Sequence, residues 1–148
     1  MFTLPFLTNT RAQVTALLQS DLAQKVCAEA EGETGTVIIN LCDAGGYRQF
    51  SNSKHPIKAP ADLKGLKLRT MENSIHLAAW KAMGANPTPM AFSELYTAMQ
   101  QGTVDGQENP LAIILTAKVY EVQKYITMID LFYSPCVLMI NEDIYNNF

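Results

Sequence analysis

The sequence predicts an α/β fold in which strands and helices alternate along the chain and the strands pair largely in parallel. A short β-branched run at 37–42 and a second run at 66–70, both bounded by turn residues, are typical of strands. Between such runs, apolar residues recur every three or four positions, which is typical of helices packed on a sheet. With 148 residues, 48% of them hydrophobic, the chain is long enough to bury a core.

The first predicted elements are a helix and a strand. Three residues can cap the helix at its amino end: Thr8, Asn9 and Thr10. Apolar residues with helical spacing run from 14 to 26, and glycines at 32 and 35 predict the end of this region. The strand at 37–42 is followed by a predicted turn at 43–46, which contains two glycines.

The next elements surround Arg69. After an extended piece at 47–51, prolines keep the chain irregular until the strand at 66–70, and Arg69 lies near the carboxyl end of that strand. Asn73 or Ser74 can cap the helix that follows, and a glycine after its last turn predicts where this helix ends.

The second half of the chain continues the alternation. Prolines make 86–90 extended, and a helix from about Ser93 precedes a short strand and turn at 103–106. Asn109 followed by Pro110 predicts a helix start, with asparagine as the cap and proline in the first turn. Two strands and a last helix start are predicted at 124–129, 132–140 and 141–143.

Charge excludes some classes of protein. There are 11 basic and 14 acidic residues, so the chain lacks the basic excess of a nucleic-acid binder, and no apolar stretch is long enough to span a membrane. Six basic residues lie between Arg48 and Arg69, with Asp62 as the only acid there. This segment is either a solvated lysine-rich loop or an anion site built from the two arginines, whose planar guanidinium groups suit a carboxylate or phosphate.

The cysteines and histidines of the sequence do not form a recognisable metal or redox motif. Cys27, Cys42 and Cys136 match no metal or redox spacing, which favours separate buried thiols over a disulfide or a metal site. His55 and His76 lack the helical spacing of a zinc site. The sequence contains no dinucleotide fingerprint, phosphate-binding loop or nucleophile elbow, so we expect neither a metal nor another cofactor.

A recognition site for a small anion is the functional pattern that remains. Arg69 at a strand end, Glu72 in the following loop and Asn109 at the predicted helix start could converge on one ligand. Ligands of α/β proteins lie outside the carboxyl ends of strands, and a helix amino terminus attracts anions. Phe92 is either a packing residue at a helix start or a flat wall for the ligand. Arg69 taken alone is equally compatible with a surface salt bridge.

Four motifs make the pattern more specific. They read DLKGLKLR at 62–69, GANPTPMAFSELY at 84–96, GTVDGQENP at 102–110 and KVYEVQKY at 118–125. These motifs closely resemble the solute-binding proteins of TRAP transporters, the DctP-like periplasmic subunits. The resemblance extends upstream through GYRQFSN at 46–52 and covers nearly the whole chain.

The resemblance implies two α/β lobes, joined by crossing strands, that close over a ligand. It implies a non-enzymatic protein without cofactor that captures an organic acid, a dicarboxylate or a sugar acid, and delivers it to a sodium-driven membrane permease. By resemblance, Arg69 pairs with the ligand carboxylate and Asn109 supports that contact. Arg48 matches a second basic position near the pocket, Phe92 matches a pocket-wall aromatic, and Glu72 matches a variable position that helps to select the rest of the ligand.

Family members are longer than this chain, so the resemblance implies an incomplete periplasmic-binding-protein-like fold. It assigns residues 1–44 to part of the first lobe, 45–134 to most of the second, and 135–148 to a return strand and helix start toward the first. Intact members are periplasmic. The start of this chain lacks the basic head and apolar centre of a signal peptide, so we expect none in it. Unpaired strand edges predict a homodimer or a strand-exchanged oligomer.

Two other classes of protein stay open. A truncated remnant that no longer binds, or an interaction module, fits the short length. An enzyme acting on a carboxylic acid would need a base such as Glu72 or Glu108, and the sequence shows no nucleophile or metal set to accompany it. Binding of an acid would argue against the remnant or interaction module, and the absence of turnover would argue against the enzyme.

Overall fold

Five strands form the sheet in the computed structural model of the chain, which describes residues 2–147. They are β1 (Thr36–Asn52), β2 (Lys67–Thr70), β3 (Asn86–Pro89), β4 (Gly106–Pro110) and β5 (Tyr125–Asn141). Their order across the sheet is β3-β2-β4-β1-β5. β2 pairs in parallel with β3 and β4, whereas β1 is antiparallel to β4 and β5. The predicted parallel pairing therefore holds for only three strands, and the sheet is mixed.

Six helices accompany the sheet in the described part of the chain. They are α1 (Arg11–Leu18), α2 (Asp21–Thr34), α3 (Ser74–Ala82), α4 (Leu95–Gln100), α5 (Leu111–Thr116) and α6 (Glu142–Tyr145). Single 3₁₀ turns occur at Pro60–Leu63, Phe92–Glu94 and Val119–Glu121. No helix among residues 2–147 has the length and apolar character needed to cross a membrane.

The first predicted helix is two helices, so the prediction of one continuous helix through 26 is wrong. Thr10 caps α1 as expected, because its side chain accepts a hydrogen bond from the Gln13 amide. The helix then ends, and Ser20 starts α2: its Oγ donates to the Leu17 carbonyl at 2.6 Å and accepts from the Ala23 amide at 3.2 Å. One serine thus satisfies backbone groups of both helix ends, which makes the break stable.

The turn predicted at 43–46 is a kink inside β1. The Asp43 Oδ1 accepts hydrogen bonds from the Gly45 and Gly46 amides at 2.8 and 2.6 Å, and both glycines have positive φ. The predicted turn therefore does not end the strand, which runs from Thr36 to Asn52. It continues because β5 pairs with β1 on both sides of the kink, with a shift of register between Asp43 and Tyr47.

β5 is also one strand, although two were predicted at 124–129 and 132–140. The interruption lies at Asp130, where φ is 47°. The Gln49 side chain of β1 bridges this irregularity: its Oε1 accepts from the Ile129 and Asp130 amides at 2.8 and 3.1 Å, and its Nε2 donates to the Asp130 carboxylate. Because one buried side chain replaces the missing backbone pairs, the strand survives the bulge.

Around 103–110 the prediction shifted the elements by several residues. The strand is β4 at Gly106–Pro110, and α5 begins only at Leu111. Asn109 is therefore a strand residue and not a helix cap; Pro110 occupies the cap position without a side-chain hydrogen bond. Gly106 is required here, since a Cβ at this position would collide with the Ser51 carbonyl of the neighbouring β1.

Two apolar clusters form the core. The first surrounds the fully buried Trp80, and its buried members are Phe50, Leu63, Leu66, Leu68, Trp80, Ala85, Leu131 and Phe132. The second contains Leu95, Ala98, Met99, Val104, Ile114 and Val119. Cys136, predicted as a buried thiol, is exposed because its part of β5 extends beyond both clusters.

Candidate ligand-binding site

Arg69 is a buried arginine without an acidic partner. It is the third residue of β2, which lies between β3 and β4, so its side chain leaves the sheet near the carboxyl end of parallel strands. Only 3% of Arg69 is exposed. Its Nε and Nη2 donate to a single acceptor, the Met90 carbonyl, at 2.9 and 2.7 Å. Among residues 2–147, no Asp or Glu forms an ion pair with it.

The surroundings of Arg69 contain one exposed aromatic ring. The guanidinium carbon lies 5.9 Å from the ring centre of Phe92, which is at the start of a 3₁₀ turn and is 48% exposed. This is the distance of a weak cation–π contact. Phe92 is thus beside the guanidinium, as the wall interpretation requires. Glu72 is exposed in the loop between β2 and α3 and forms no side-chain hydrogen bond or ion pair within the described residues.

Burial lowers the pKa of Arg69, and the charge of Arg48 acts in the same direction, while Glu108 opposes both. An arginine remains protonated throughout the physiological range despite such a shift. A buried positive charge without a counter-ion is costly, and an anion that approached the guanidinium would remove that cost. The Arg69 side chain therefore offers a binding position for an anion.

Arg48 has a very different environment. It lies on β1 opposite Pro110 of β4, and its Nε forms an ion pair with the Glu108 carboxylate. Its Nη2 donates to the Glu108 carbonyl at 2.8 Å, to Glu108 Oε1 at 3.2 Å and to Asn109 Oδ1 at 2.9 Å. The predicted second basic residue of the site is therefore neutralised within the protein.

Asn109 links Arg48 to a buried polar chain. Its Nδ2 donates to Gln107 Oε1 at 2.5 Å, and Gln107 Nε2 donates to Ser51 Oγ at 2.9 Å. All of these side chains are at least 95% buried. Because both ends of the Asn109 amide are already bonded, the residue holds the orientation of Arg48. A helix amino terminus contributes nothing here, since Asn109 is not a cap.

The sequence suggested Glu108 only as a possible catalytic base and His76 only as a surface or packing residue, yet both complete this cluster. His76 is fully buried on α3, and its Nδ1 is 3.3 Å from Glu108 Oε1. Its ring stacks on Phe132 with centroids 3.9 Å apart and planes 4° from parallel. Nothing in the local sequence signals these contacts, because they join residues that are 32 to 60 positions apart.

A cavity elsewhere in the described part of the chain includes none of the predicted site residues. It has a volume of about 590 Å³ and lies between α1, α2 and the first part of β1, where Val14, Cys27 and Ile38 contribute to its walls. Within residues 2–147, no cluster of three or more His, Cys, Asp or Glu side chains could hold a metal ion. This cavity therefore does not coincide with Arg69 or with the Arg48 cluster.

A buried arginine without a paired acidic side chain, near the carboxyl ends of parallel strands, is an arrangement expected in α/β proteins that bind an anion. The sequence matches the family "Bacterial extracellular solute-binding protein, family 7" (DctP) over residues 1–148. The chain belongs to this family of TRAP solute-binding proteins, and the predicted family is thereby confirmed.

Individual relatives agree with this assignment. A solute-binding protein from Verminephrobacter eiseniae is 46% identical over 142 residues, which are 96% of this chain and 42% of that protein. The 2,3-diketo-L-gulonate-binding periplasmic protein YiaO from Escherichia coli is 39% identical over 138 residues, or 93% of this chain and 42% of that protein.

A solved structure extends the comparison to the fold. A TRAP periplasmic solute-binding protein from Polaromonas sp. JS666, bound to D-erythronate, aligns with a TM-score of 0.92 and 39% identity over 98% of this chain and 47% of that chain. The predicted class of fold, that of α/β periplasmic binding proteins, is confirmed. The chain spans less than half of the length of these relatives.

Proposed function

We propose that this chain carries the carboxylate-binding half of a site for a small organic acid and that Arg69 is the anchor. The observation that carries the proposal is the buried Arg69 guanidinium, which has only one carbonyl acceptor and no acidic partner among residues 2–147. A ligand carboxylate would supply the missing negative charge and accept a forked pair of hydrogen bonds. Phe92 would then cover one side of the ligand.

The charges of the cluster favour a monocarboxylic acid over a dicarboxylate. Arg48 and Glu108 form an internal ion pair, so Arg69 is the one uncompensated charge of the cluster in the described chain. The relatives named above support a polyhydroxylated acid, because one is named for 2,3-diketo-L-gulonate and another is bound to D-erythronate. Glu72, on the loop next to Arg69, would accept hydrogen bonds from ligand hydroxyl groups. Asn109 and Arg48 would hold the cluster in place beneath the ligand.

The family assignment supports a larger role for the whole protein. We propose that it works in the periplasm, presenting its acid to a sodium-coupled TRAP membrane permease. In that protein, residues 1–44 and 135–148 would belong to one lobe and 45–134 to the other, and the ligand would lie between them.

A titration of the chain followed by nuclear magnetic resonance tests the anchor directly. D-erythronate should shift the Arg69 Nε–Hε signal and the Phe92 amide signal in a saturable manner. Erythritol, which has comparable hydroxyl groups and no carboxylate, should leave both signals unchanged. Absence of a saturable shift with D-erythronate, or equal shifts with erythritol, would contradict the proposal.

A matched pair of variants assigns the effect to one side chain. Arg69→Ala should abolish the shifts, whereas Lys67→Ala, which removes an exposed basic residue from the same strand, should retain them. If Lys67→Ala loses binding as well, general positive charge and not the Arg69 fork attracts the ligand.

We also propose that the isolated chain pairs with a second copy of itself. Three apolar side chains on the ribbon formed by the first part of β1 and the last part of β5 are more than half exposed: Ile39, Leu138 and Met139. Such an apolar ribbon is typical of a surface that another protein covers. Light scattering should report a dimer, and Leu138→Lys should convert it to a monomer. A monodisperse monomer of the unmodified chain would contradict this proposal.

A further inference from the structure

Two cysteines that are far apart in sequence are direct neighbours in the sheet. Cys42 of β1 and Cys136 of β5 are 94 positions apart and occupy opposite places in the antiparallel register of the two strands. The next pair along the ribbon is Asp43 with Pro135, after which the kink of β1 shifts the register. The cysteines therefore lie in the regular part of the pairing, one pair before the register shift.

Their geometry suits a covalent link. Residues directly opposite in an antiparallel pair point to the same face of the sheet, with Cα atoms about 4.5–5.5 Å apart. Disulfides join residues whose Cα atoms are about 4.4–6.8 Å apart, so the strand pairing alone meets the requirement. The Cys42 Sγ leans toward its partner and is 3.6 Å from the Cys136 carbonyl oxygen.

We infer that Cys42 and Cys136 form a disulfide under oxidising conditions, which makes the pair a modification site that fastens β1 to β5. The oxidant is a disulfide such as glutathione disulfide. One cysteine thiolate attacks it, forms a mixed disulfide and releases one glutathione thiolate. The second cysteine then attacks the protein sulfur, forms the Cys42–Cys136 bond and releases the second glutathione. The two protein thiols lose two protons and two electrons, and the oxidant gains both electrons.

Exposure decides which thiol reacts first. Cys136 is exposed, while Cys42 is half-buried. Burial raises the pKa of the Cys42 thiol, and its contact with Cys136 acts in the same direction. Because the thiolate is the reactive form, Cys136 is the first nucleophile and Cys42 resolves the mixed disulfide. Cys27 lies on α2 and has no place in the ribbon, so it stays reduced.

The link has a consequence for the anion site. The proposed site residues, from Arg48 to Asn109, lie in the segment that the disulfide would close into a loop. Closing a long loop restricts the unfolded chain and so stabilises the folded one. Relatives of this chain include a periplasmic protein, and the periplasm is a compartment in which disulfides persist. The pairing of the thiols itself depends only on the register of the strands.

Thiol counting in glutathione redox buffers tests this inference on the full chain. In oxidising buffer, the chain should lose two of its three thiols toward Ellman's reagent after denaturation and two hydrogen masses by intact-mass spectrometry. Digestion should yield one peptide pair that contains Cys42 and Cys136. The oxidised chain should melt at a higher temperature than the reduced chain.

Two serine variants are matched controls. Cys27→Ser should still form the link, and Cys42→Ser should keep its two remaining thiols and show no change of melting temperature between the two buffers. Persistence of all three thiols in the unmodified chain, a link that uses Cys27, or a link between two chains would overturn the inference. An oxidised chain that melts no higher than the reduced one would overturn the stabilising role.

Discussion

Arg48 and Arg69 lie in one sheet and are almost equally buried, yet their surroundings differ completely. Arg48 forms an ion pair with Glu108 and donates a hydrogen bond to Asn109. The Glu108 carboxylate also contacts the ring nitrogen of His76. Arg69 has one main-chain carbonyl and an aromatic ring beside it. Burial alone therefore does not identify a ligand contact. The informative difference is direct pairing: the Glu108 carboxylate forms an ion pair with Arg48 and acts on Arg69 only at a distance.

The largest expected effect concerns the compensated arginine. Arg48→Met or Glu108→Met should lower the free energy of unfolding by about 3–5 kcal/mol, because each leaves an uncompensated buried charge. Urea unfolding followed by Trp80 fluorescence measures this. The double variant Arg48→Met/Glu108→Met should be more stable than either single variant, since it removes both members of this ion pair and leaves neither of them unpaired. Additive losses in the double variant would contradict the internal pairing.

Removal of the uncompensated arginine should act on binding. Arg69→Met should weaken D-erythronate binding by about 2–5 kcal/mol, the usual cost of truncating a buried charged contact. Arg69→Lys keeps the charge and loses the planar fork, so its affinity should lie between those of the unmodified chain and Arg69→Met. Titration by nuclear magnetic resonance gives the three affinities, and an unchanged affinity in Arg69→Met would exclude Arg69 as the anchor.

His76 should have a smaller effect on stability. His76→Phe retains an aromatic ring that can stack on Phe132 and loses the contact with Glu108, so we expect a loss of about 1 kcal/mol in urea unfolding. His76→Ala removes both contacts and should lose more. Equal losses in the two variants would mean that the contact with Glu108, and not the stacking, carries the whole contribution.

The smallest effect on stability should come from a carboxylate outside the buried cluster, that of Asp62. Backbone amides of Lys58 and Ala59 donate to the Asp62 carboxylate at 2.8 and 2.9 Å and lower its pKa. The lowered pKa stabilises the fold above the ordinary carboxyl pKa, and this contribution is lost as the pH falls through the lowered value. Asp62→Asn should therefore be less stable than the unmodified chain near neutral pH.

The pH dependence provides the control for this prediction. The difference in melting temperature between Asp62→Asn and the unmodified chain should shrink as the pH is lowered to acid values. The Asp62 carboxyl is then protonated and uncharged, as the amide of the variant is at every pH. A difference that stays constant with pH would show that the charge of Asp62 contributes nothing.

Local sequence patterns predicted most elements of the fold but not the partners of the buried charges. The caps at Thr10 and Asn73 depend on residues only a few positions apart, and these predictions are confirmed. Whether the strand ends at the predicted turn at 43–46 depends on pairing with β5, which is remote in sequence, and the predicted strand end at residue 42 is wrong.

The candidate site shows the same limit. Motif resemblance identified Arg69 and Arg48 together, because both follow family patterns. The counter-charge that distinguishes them comes from Glu108, 60 positions after Arg48. Asn109 was assigned to a helix start because the Asn-Pro pair is a strong local signal, yet pairing with β1 keeps it in a strand. Contacts across the sheet decide both the counter-charge of an arginine and whether Asn109 lies in a strand or a helix. Local patterns in one sequence do not predict these contacts.

The different roles of the two buried arginines are best tested by urea unfolding of Arg69→Met and Arg48→Met without ligand, measured side by side. We expect Arg69→Met to change the free energy of unfolding by no more than about 1 kcal/mol, since it loses a carbonyl contact but also removes an uncompensated charge. Arg48→Met should lose several times as much. Equal losses in the two variants would contradict the claim that the fold needs Arg48 while Arg69 is kept for an anion from outside.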